Sequence, residues 1–223
     1  MDLTNPARSV IPTLDAEVLV ALAAISMPLT GRQISRLLES RSSSGVQKVL
    51  ERLNEQGLVD VLPAGNANLY SLNRDHVAAP AIEALRDLRG KLFERMAKAV
   101  EEWRILPESV AVFGSAARGD GGVESDIDIL VVRPAELYYK HLTDMHQVEE
   151  EPLEGFSNVW SSQLFDFGRQ VFRWSGNQAS LIEVTRLQLE QMVERGESVA
   201  ESLRKEARYI WGQNIMKKVD SKG

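Results

Sequence analysis

The stretch that most constrains this chain is Asp126-Ile127-Asp128-Ile129-Leu130-Val131-Val132. A β-branched apolar run of this length reads as a buried strand. Side chains alternate along a strand, so Asp126 and Asp128 share one face while Ile127, Ile129 and Val131 point the other way, into a core. Two carboxylates side by side repel each other, and a folded protein keeps such a pair most readily when a cation sits between them. So few hard oxygen ligands suit Mg²⁺, with substrate phosphates completing its shell.

A second feature lies upstream. Val110–Phe113 reads as a strand, Gly114 ends it, and Ser115 opens a helical turn with Ala116 and Ala117. Gly119, Asp120, Gly121 and Gly122 are loop chemistry. Glycine lets a phosphate approach the backbone, free N–H groups at a helix start attract an anion, and the Ser115 hydroxyl adds a hydrogen bond. A Gly-Ser turn alone is a common turn, and an Asp-x-Asp alone a common solvated strand end. Joined in one strand–helix–strand unit, they read as a nucleotide site.

At these residues the chain resembles the DNA polymerase beta-like nucleotidyltransferase superfamily, especially its small bacterial members. The family signature is a hydrophobic strand, Gly-Ser, roughly ten residues, then Asp-x-Asp before a hydrophobic strand. Here residues 116 to 125 separate Gly114-Ser115 from Asp126-Ile127-Asp128. The resemblance implies that Gly114 and Ser115 bind nucleotide phosphates and that Asp126 and Asp128 are catalytic metal ligands. It also puts Arg118 where a basic residue often lies near the phosphates. The implied cofactor is Mg²⁺ or Mn²⁺, and the implied substrate is a nucleoside triphosphate, with ATP the expected one. Family members place a third carboxylate on a later strand as general base. Glu183 is the only acid in the predicted strand Ala179–Val184. The pattern departs here, because Gln178 and Ser180 stand near the strand's start, where a shorter aspartate is more usual. The segment Glu206–Gly212 resembles the terminal segment of many minimal nucleotidyltransferases.

Composition narrows the function classes. The 223 residues carry a net charge of −6, with 26 basic against 32 acidic side chains, so no chain-wide basic field exists for nucleic acid. With no cysteine there is no disulfide framework and no thiolate zinc site. His76, His141 and His146 lack a metal-ligand spacing. No segment reaches the ~18 apolar residues of a membrane span, and the first residues lack the pattern of a secretory signal. The expectation is a cytoplasmic protein with no membrane partner.

Residues 1–13 look like an extended arm. Helices are expected over Leu14–Ile25, from a Thr30 cap through Leu38, and over Val46–Gln56, with Ser42-Ser43-Ser44-Gly45 as a turn. Leu58–Leu62 and Asn68–Leu72 follow as strands of a hairpin. This order looks like a winged helix-turn-helix, with the third helix as reader and the hairpin tip as wing. Between residues 30 and 52, five basic residues face two acidic ones. Arg41, Ser42, Ser43, Ser44, Lys48 and Arg52 are the candidate DNA contacts. A protein-docking or dimerisation module is the competing reading, since basic and acidic residues nearly balance over residues 1–75.

Beyond Asp75, a proposed cap, the apolar stripe Ile82, Leu85, Leu88, Leu92, Met96, Val100 and Trp103 predicts one long helix, bent near Gly90. After the motif, helices are expected over Ala135–Glu150, on an apolar face of Leu137, Tyr138, His141, Leu142 and Met145, and over Ser157–Trp174. The stripe Trp160, Leu164, Phe167, Val171 and Trp174 is core, or alternatively a wall for a nucleotide base. Helices over 186–195, opened by a Thr185 capping box, and over Ser198–Trp211 precede a polar tail.

The fold class is α+β. A winged helix domain (1–75), a connecting helix (76–107) and a polymerase beta-type nucleotidyltransferase α/β domain with C-terminal helices (108–223) make up the chain. The implied function is Mg²⁺-dependent transfer of a nucleoside monophosphate from an NTP to a hydroxyl on a protein or RNA, in a bacterial toxin–antitoxin or defence setting. Its partners would be DNA and a cognate toxin or antitoxin, with the oligomeric state open. The alternative is a DNA-binding regulator that uses the second domain as a nucleotide sensor.

Overall fold

The computed structural model describes residues 1–39, 42–134 and 156–220. The expected helix over Ala135–Glu150, the acidic cluster Glu149–Glu151, His141, His146 and Arg41 lie outside the described residues. Two compact units are present, one comprising Asp2 and Thr4–Gly90, the other Met1, Leu3 and Lys91–Gly223.

In the first unit a 3₁₀ turn, Pro6–Ser9, precedes α1 (Leu14–Ala24), β1 (Leu29–Thr30), α2 (Gly31–Leu37) and α3 (Ser43–Glu55). β2 (Val59–Ala64), β3 (Ala67–Leu72) and α4 (Ala79–Arg86) complete it. The expected extended arm is therefore partly helical, because Pro6 presets the first turn and buried Ala7 anchors it. Thr30 and Gln33 form a capping box at α2. The Ser42–Gly45 turn is instead the start of α3: Ser42 is its N-cap, accepting from Gly45 N at 3.1 Å. The three strands run β1-β3-β2, all antiparallel, with the hairpin turning at Gly65 (φ +58°). Val18, Leu22, Ile34, Val46, Leu50 and Tyr70 are buried between the helices and this sheet.

The long helix predicted beyond Asp75 is two helices. α4 ends at Arg86, Asp87 leaves helical geometry (ψ 26°), and α5 runs Leu88–Glu101. Asp and Gly are poor helix formers; Asp87 is the break, and Gly90, where the bend is expected, lies inside α5 as its third residue. Asp75 caps neither helix; α4 starts at Ala79 with proline in its first turn.

The second unit holds the motif. β4 (Ser109–Phe113), α6 (Gly114–Arg118) and β5 (Ile127–Val132) are followed by α7 (Phe156–Ser175) and β6 (Ala179–Val184). Then come α8 (Arg186–Glu194), α9 (Ser198–Glu206), β7 (Arg208–Gly212) and α10 (Ile215–Asp220). The sheet order is β6-β5-β4-β7, with β5 and β6 parallel and the other pairs antiparallel.

Strand alternation sorts this unit into two cores. Val110, Val112, Ile127, Ile129 and Val131 pack with Leu92, Met96 and Val100 of α5 and with Trp160, Leu164, Phe167 and Val171 of α7. Ala111, Phe113, Leu130, Val132 and Val184 pack on the other face with Leu189, Leu203 and Met216. The tryptophan stripe is core: Trp103 meets Trp160 and Phe167 edge-on at 5.8 and 5.4 Å.

The C-terminal reading needs correction. The helix expected over Ser198–Trp211 stops at Glu206, and Arg208–Gly212 adds a strand to the free side of β4. Tyr209, Ile210 and Trp211 are strong strand formers, and the Trp211 indole N–H donates to Pro107 O at 3.1 Å. The expected polar tail contains α10, which buries Ile215 and Met216.

Candidate active site

Asp128 is the second residue of β5. Its neighbour across β4 is Phe113, in the last pair of that ladder, and its neighbour on β6 is Ser180. Gly114 follows Phe113 with φ +64°, a conformation that favours glycine. The reason is steric: a Cβ at 114 would run into the Asp128 carboxylate. The turn and the Asp-x-Asp strand are thus brought into direct contact at one end of the sheet.

Ser115 and the loop that follows are fixed by a second glycine. Ser115 O accepts from Gly119 N (2.8 Å) and Asp120 N (3.1 Å), and Gly119 closes α6 with φ +84°. The loop then returns over the turn. Gly121 is buried, and a Cβ there would stand 2.8 Å from the Ser115 hydroxyl oxygen. The chain approaches Ser115 this closely only because residue 121 has no side chain.

The electrostatics follow from this crowding. Burial, and then the neighbouring Asp126 carboxylate, hold the Asp128 carboxyl above its usual range; the Arg118 guanidinium works weakly the other way. Arg118 is exposed, donating from Nε to Asp120 at 2.8 Å and from Nη1 to Glu206 at 2.7 Å. Those two carboxylates raise its pKa further. Glu206, at the end of α9, also raises Asp128 slightly. It belongs to this cluster although sequence reasoning passed over it. Its distance from the motif along the chain hid it; the packing of α9 against α6 and the β7–β4 pairing bring it here. Arg208, on β7, donates from Nε to Ala117 O at 3.0 Å and ties this strand to the turn.

Glu183 is not part of this cluster. The parallel register sets it beside Val131, three residues along β5 from Asp128 and on the opposite face of the sheet. Its carboxylate accepts from the Trp160 indole at 2.7 Å and pairs with Arg133 at 3.1 Å. Counting acids in the strand found Glu183, but the face was decided by register. The side chain on the Asp128 face beside it is Ser180.

Asp126, Asp128 and the glycine-lined turn fit a cation shared with a phosphate-bearing ligand. Asp128 is partly buried and feels the carboxylate of Asp126, which is exposed and stands just before the first residue of β5 rather than on the strand, beside a backbone kept bare of side chains. No group of three or more metal-ligating side chains gathers among the described residues. A cation here would take most of its shell from the ligand or from water, as Mg²⁺ does. His76, in the first unit, accepts from Ala78 N through Nδ1 at 3.1 Å, a local turn contact.

The candidate DNA contacts in the first unit are unequally placed. Lys48 is exposed on α3, as are Ser43 and Ser44 at its start. The Ser42 hydroxyl is committed to its cap. Arg52 is ion-paired with Asp15 of α1. The hairpin Val59–Leu72 carries Asp60 and no basic residue.

A family model described as "Nucleotidyltransferase domain" matches residues 93–164. That span runs from α5 into α7 and contains Gly114, Ser115, Arg118, Asp126 and Asp128, but not Glu183 or Glu206. Among curated proteins, no match is found. A solved structure described as "Crystal structure of the toxin-antitoxin with AMP-PNP" is similar at 14% identity and a TM-score of 0.32, covering 58% of this chain and 85% of that one. No described helix is long and apolar enough to cross a membrane.

Proposed function

We propose that the second unit transfers a nucleoside monophosphate from a nucleoside triphosphate to a hydroxyl acceptor. The observation that carries this reading is the contact of the Gly114 turn with Asp128 at the sheet end, inside the nucleotidyltransferase match. Asp126 and Asp128 would hold Mg²⁺ or Mn²⁺. A metal held there would supply positive charge to the phosphate oxygens. The Gly114 backbone and the Ser115 hydroxyl receive the triphosphate, and Arg118 offers charge to the leaving pyrophosphate. The acceptor oxygen forms the new bond to phosphorus as the bond to the β-phosphate oxygen breaks, and the acceptor proton passes to water. Glu183 has no part in this proposal, because it faces the other core.

Asp128 supports the reading energetically. Holding a carboxyl above its usual range costs stability at neutral pH, and that cost is relieved when a cation binds. ATP is the proposed donor, and a protein or RNA hydroxyl the proposed acceptor, in the toxin–antitoxin or defence setting that the family resemblance implies. The test is incubation with α-labelled ATP, Mg²⁺ and a host lysate. Label should pass to a macromolecule with the parent chain and fail to pass with Asp126→Ala plus Asp128→Ala. Equal labelling by the double variant would overturn the proposal.

A second reading, a DNA-binding regulator with a nucleotide-sensing second unit, is favoured by one observation: α3 presents Lys48, Ser43 and Ser44 to solvent. The three helices and hairpin of the first unit support a winged helix, with α3 as reader. The uncharged hairpin tip argues against a phosphate-gripping wing.

A further inference from the structure

We infer that Asn177 is a positioning residue for Asp126, extending the β5–β6 ladder past its end by means of its side chain. This inference rests on the proposed nucleotide site.

Asn177 lies in the turn between α7 and β6 and is 2% exposed, one of the few buried polar residues among those described. Its Nδ2 donates to two carbonyls of the loop before Asp126: Val123 O at 3.1 Å and Ser125 O at 2.9 Å. One residue on, the main chain takes over, with Ile127 N donating to Gln178 O at 2.8 Å. Asp126 is therefore held on both sides, through the carbonyl before it and the amide after it. Both bonds go to the same short turn.

The turn that carries Asn177 is itself fixed. Asn177 N donates to Ser175 Oγ at 3.1 Å, and that hydroxyl donates to Val171 O at 2.8 Å. Oδ1 accepts from the Met1 amino group at 2.8 Å, so both amide ends are engaged and the ring of bonds leaves the side chain one orientation. Within the loop, Gly122 N donates to Ser125 Oγ at 2.9 Å. The same loop carries Gly121 against Ser115. An amide clamped on Ser125 O thus sets the approach of Asp126 and the floor of the Gly-Ser turn together. Only an asparagine of this length presents two N–H groups to two carbonyls and an acceptor behind them; an aspartate would set oxygen against oxygen.

The test uses the full chain, Asn177→Ala and Asn177→Ser, and Met216→Ala as a control that loosens the core on the other face of the sheet, on α10, which follows β7 at the end opposite Asp128. Amide hydrogen exchange of residues 120–127 and calorimetric binding of a non-hydrolysable ATP analogue with Mg²⁺ are measured on each. Both Asn177 variants should exchange faster in the loop and bind at least tenfold more weakly. Met216→Ala, with a comparable loss of melting temperature, should bind within about twofold of the parent. Unchanged loop exchange, or faster exchange with parent-like binding, would overturn the inference. So would an equal binding loss in Met216→Ala, which would mark Asn177 as merely structural. If one Asn177 variant fails to fold, the other decides. A parent chain that binds no Mg²⁺–nucleotide would instead overturn the underlying site, and the inference with it.

Discussion

The carboxylate of Asp128 occupies the space where a side chain at Gly114 would begin. Two residues fourteen positions apart in sequence thereby define one boundary of the candidate site. Gly114→Ala must accept both φ +64° and a collision with Asp128. The backbone penalty alone is about 1 kcal/mol, and the collision displaces the carboxylate. The expected result is a lower melting temperature and at least tenfold weaker Mg²⁺–nucleotide binding by calorimetry. Parent-like binding would show that Asp128 does not need its observed position.

Asp128→Asn should separate stability from function. Burial and Asp126 hold the Asp128 carboxyl above its usual value in the folded state. At pH below that usual value the folded and unfolded states are both protonated, and the group is neutral toward stability. As pH rises, the unfolded chain ionises first and the folded state loses stability until the raised folded value is passed. The uncharged amide escapes that loss, so the variant should melt above the parent near neutral pH, and the gap should close as pH falls toward about 4. Mg²⁺ should raise the melting temperature of the parent but not of the variant. A variant that melts below the parent at neutral pH would contradict the assignment.

Glu183 and Ser180 offer a paired substitution. Glu183→Ala removes the acceptor of the Trp160 indole and the partner of Arg133, so it should cost about 1–3 kcal/mol in denaturant unfolding. The transfer rate, read on folded protein, should stay within about twofold. Ser180→Asp puts a carboxylate on the Asp128 face in the neighbouring strand and should raise the rate by roughly tenfold or more, the scale of a general base. A large rate loss in Glu183→Ala without loss of stability would restore it to the site.

For the first unit, Lys48→Ala should weaken DNA binding uniformly across sequences and reduce the salt slope by about one. Gel shifts over a range of salt concentrations, with and without ATP, measure both. An absence of salt-sensitive binding in the parent would remove the regulator reading and leave the exposed face of α3 for a protein partner.

Particular residues show how far one-dimensional reading reaches. The sequence marks Thr30 as a cap and Thr185 with Gln188 as a capping box, and in the structure Thr30–Gln33 and Thr185–Gln188 are both capping boxes, because a cap is settled within four residues. Trp160, Phe167 and Val171 are core, since helical periodicity and size both put them inside. Tyr209–Trp211 misled, because the same residues satisfy a helical stripe or a strand, and the open side of β4 chose the strand. Glu183 misled for a related reason: a strand has two faces, and a single strand does not say which one meets Asp128.

What the sequence determined alone was local: the alternation that turns Ile127, Ile129 and Val131 into a core, the glycine that ends β4, the serine after it, and the caps at Thr30 and Thr185. These follow from backbone sterics and near-neighbour hydrogen bonds, whose range is a few residues. The tertiary structure decided the rest. Strand register turned Glu183 away and set Ser180 beside Asp128; β7 brought Glu206 to Arg118; and the turn after α7 laid the Asn177 amide on the loop before Asp126. Each of these depends on which strands pair and in what phase. A shift of one residue in that phase exchanges the two faces of the sheet.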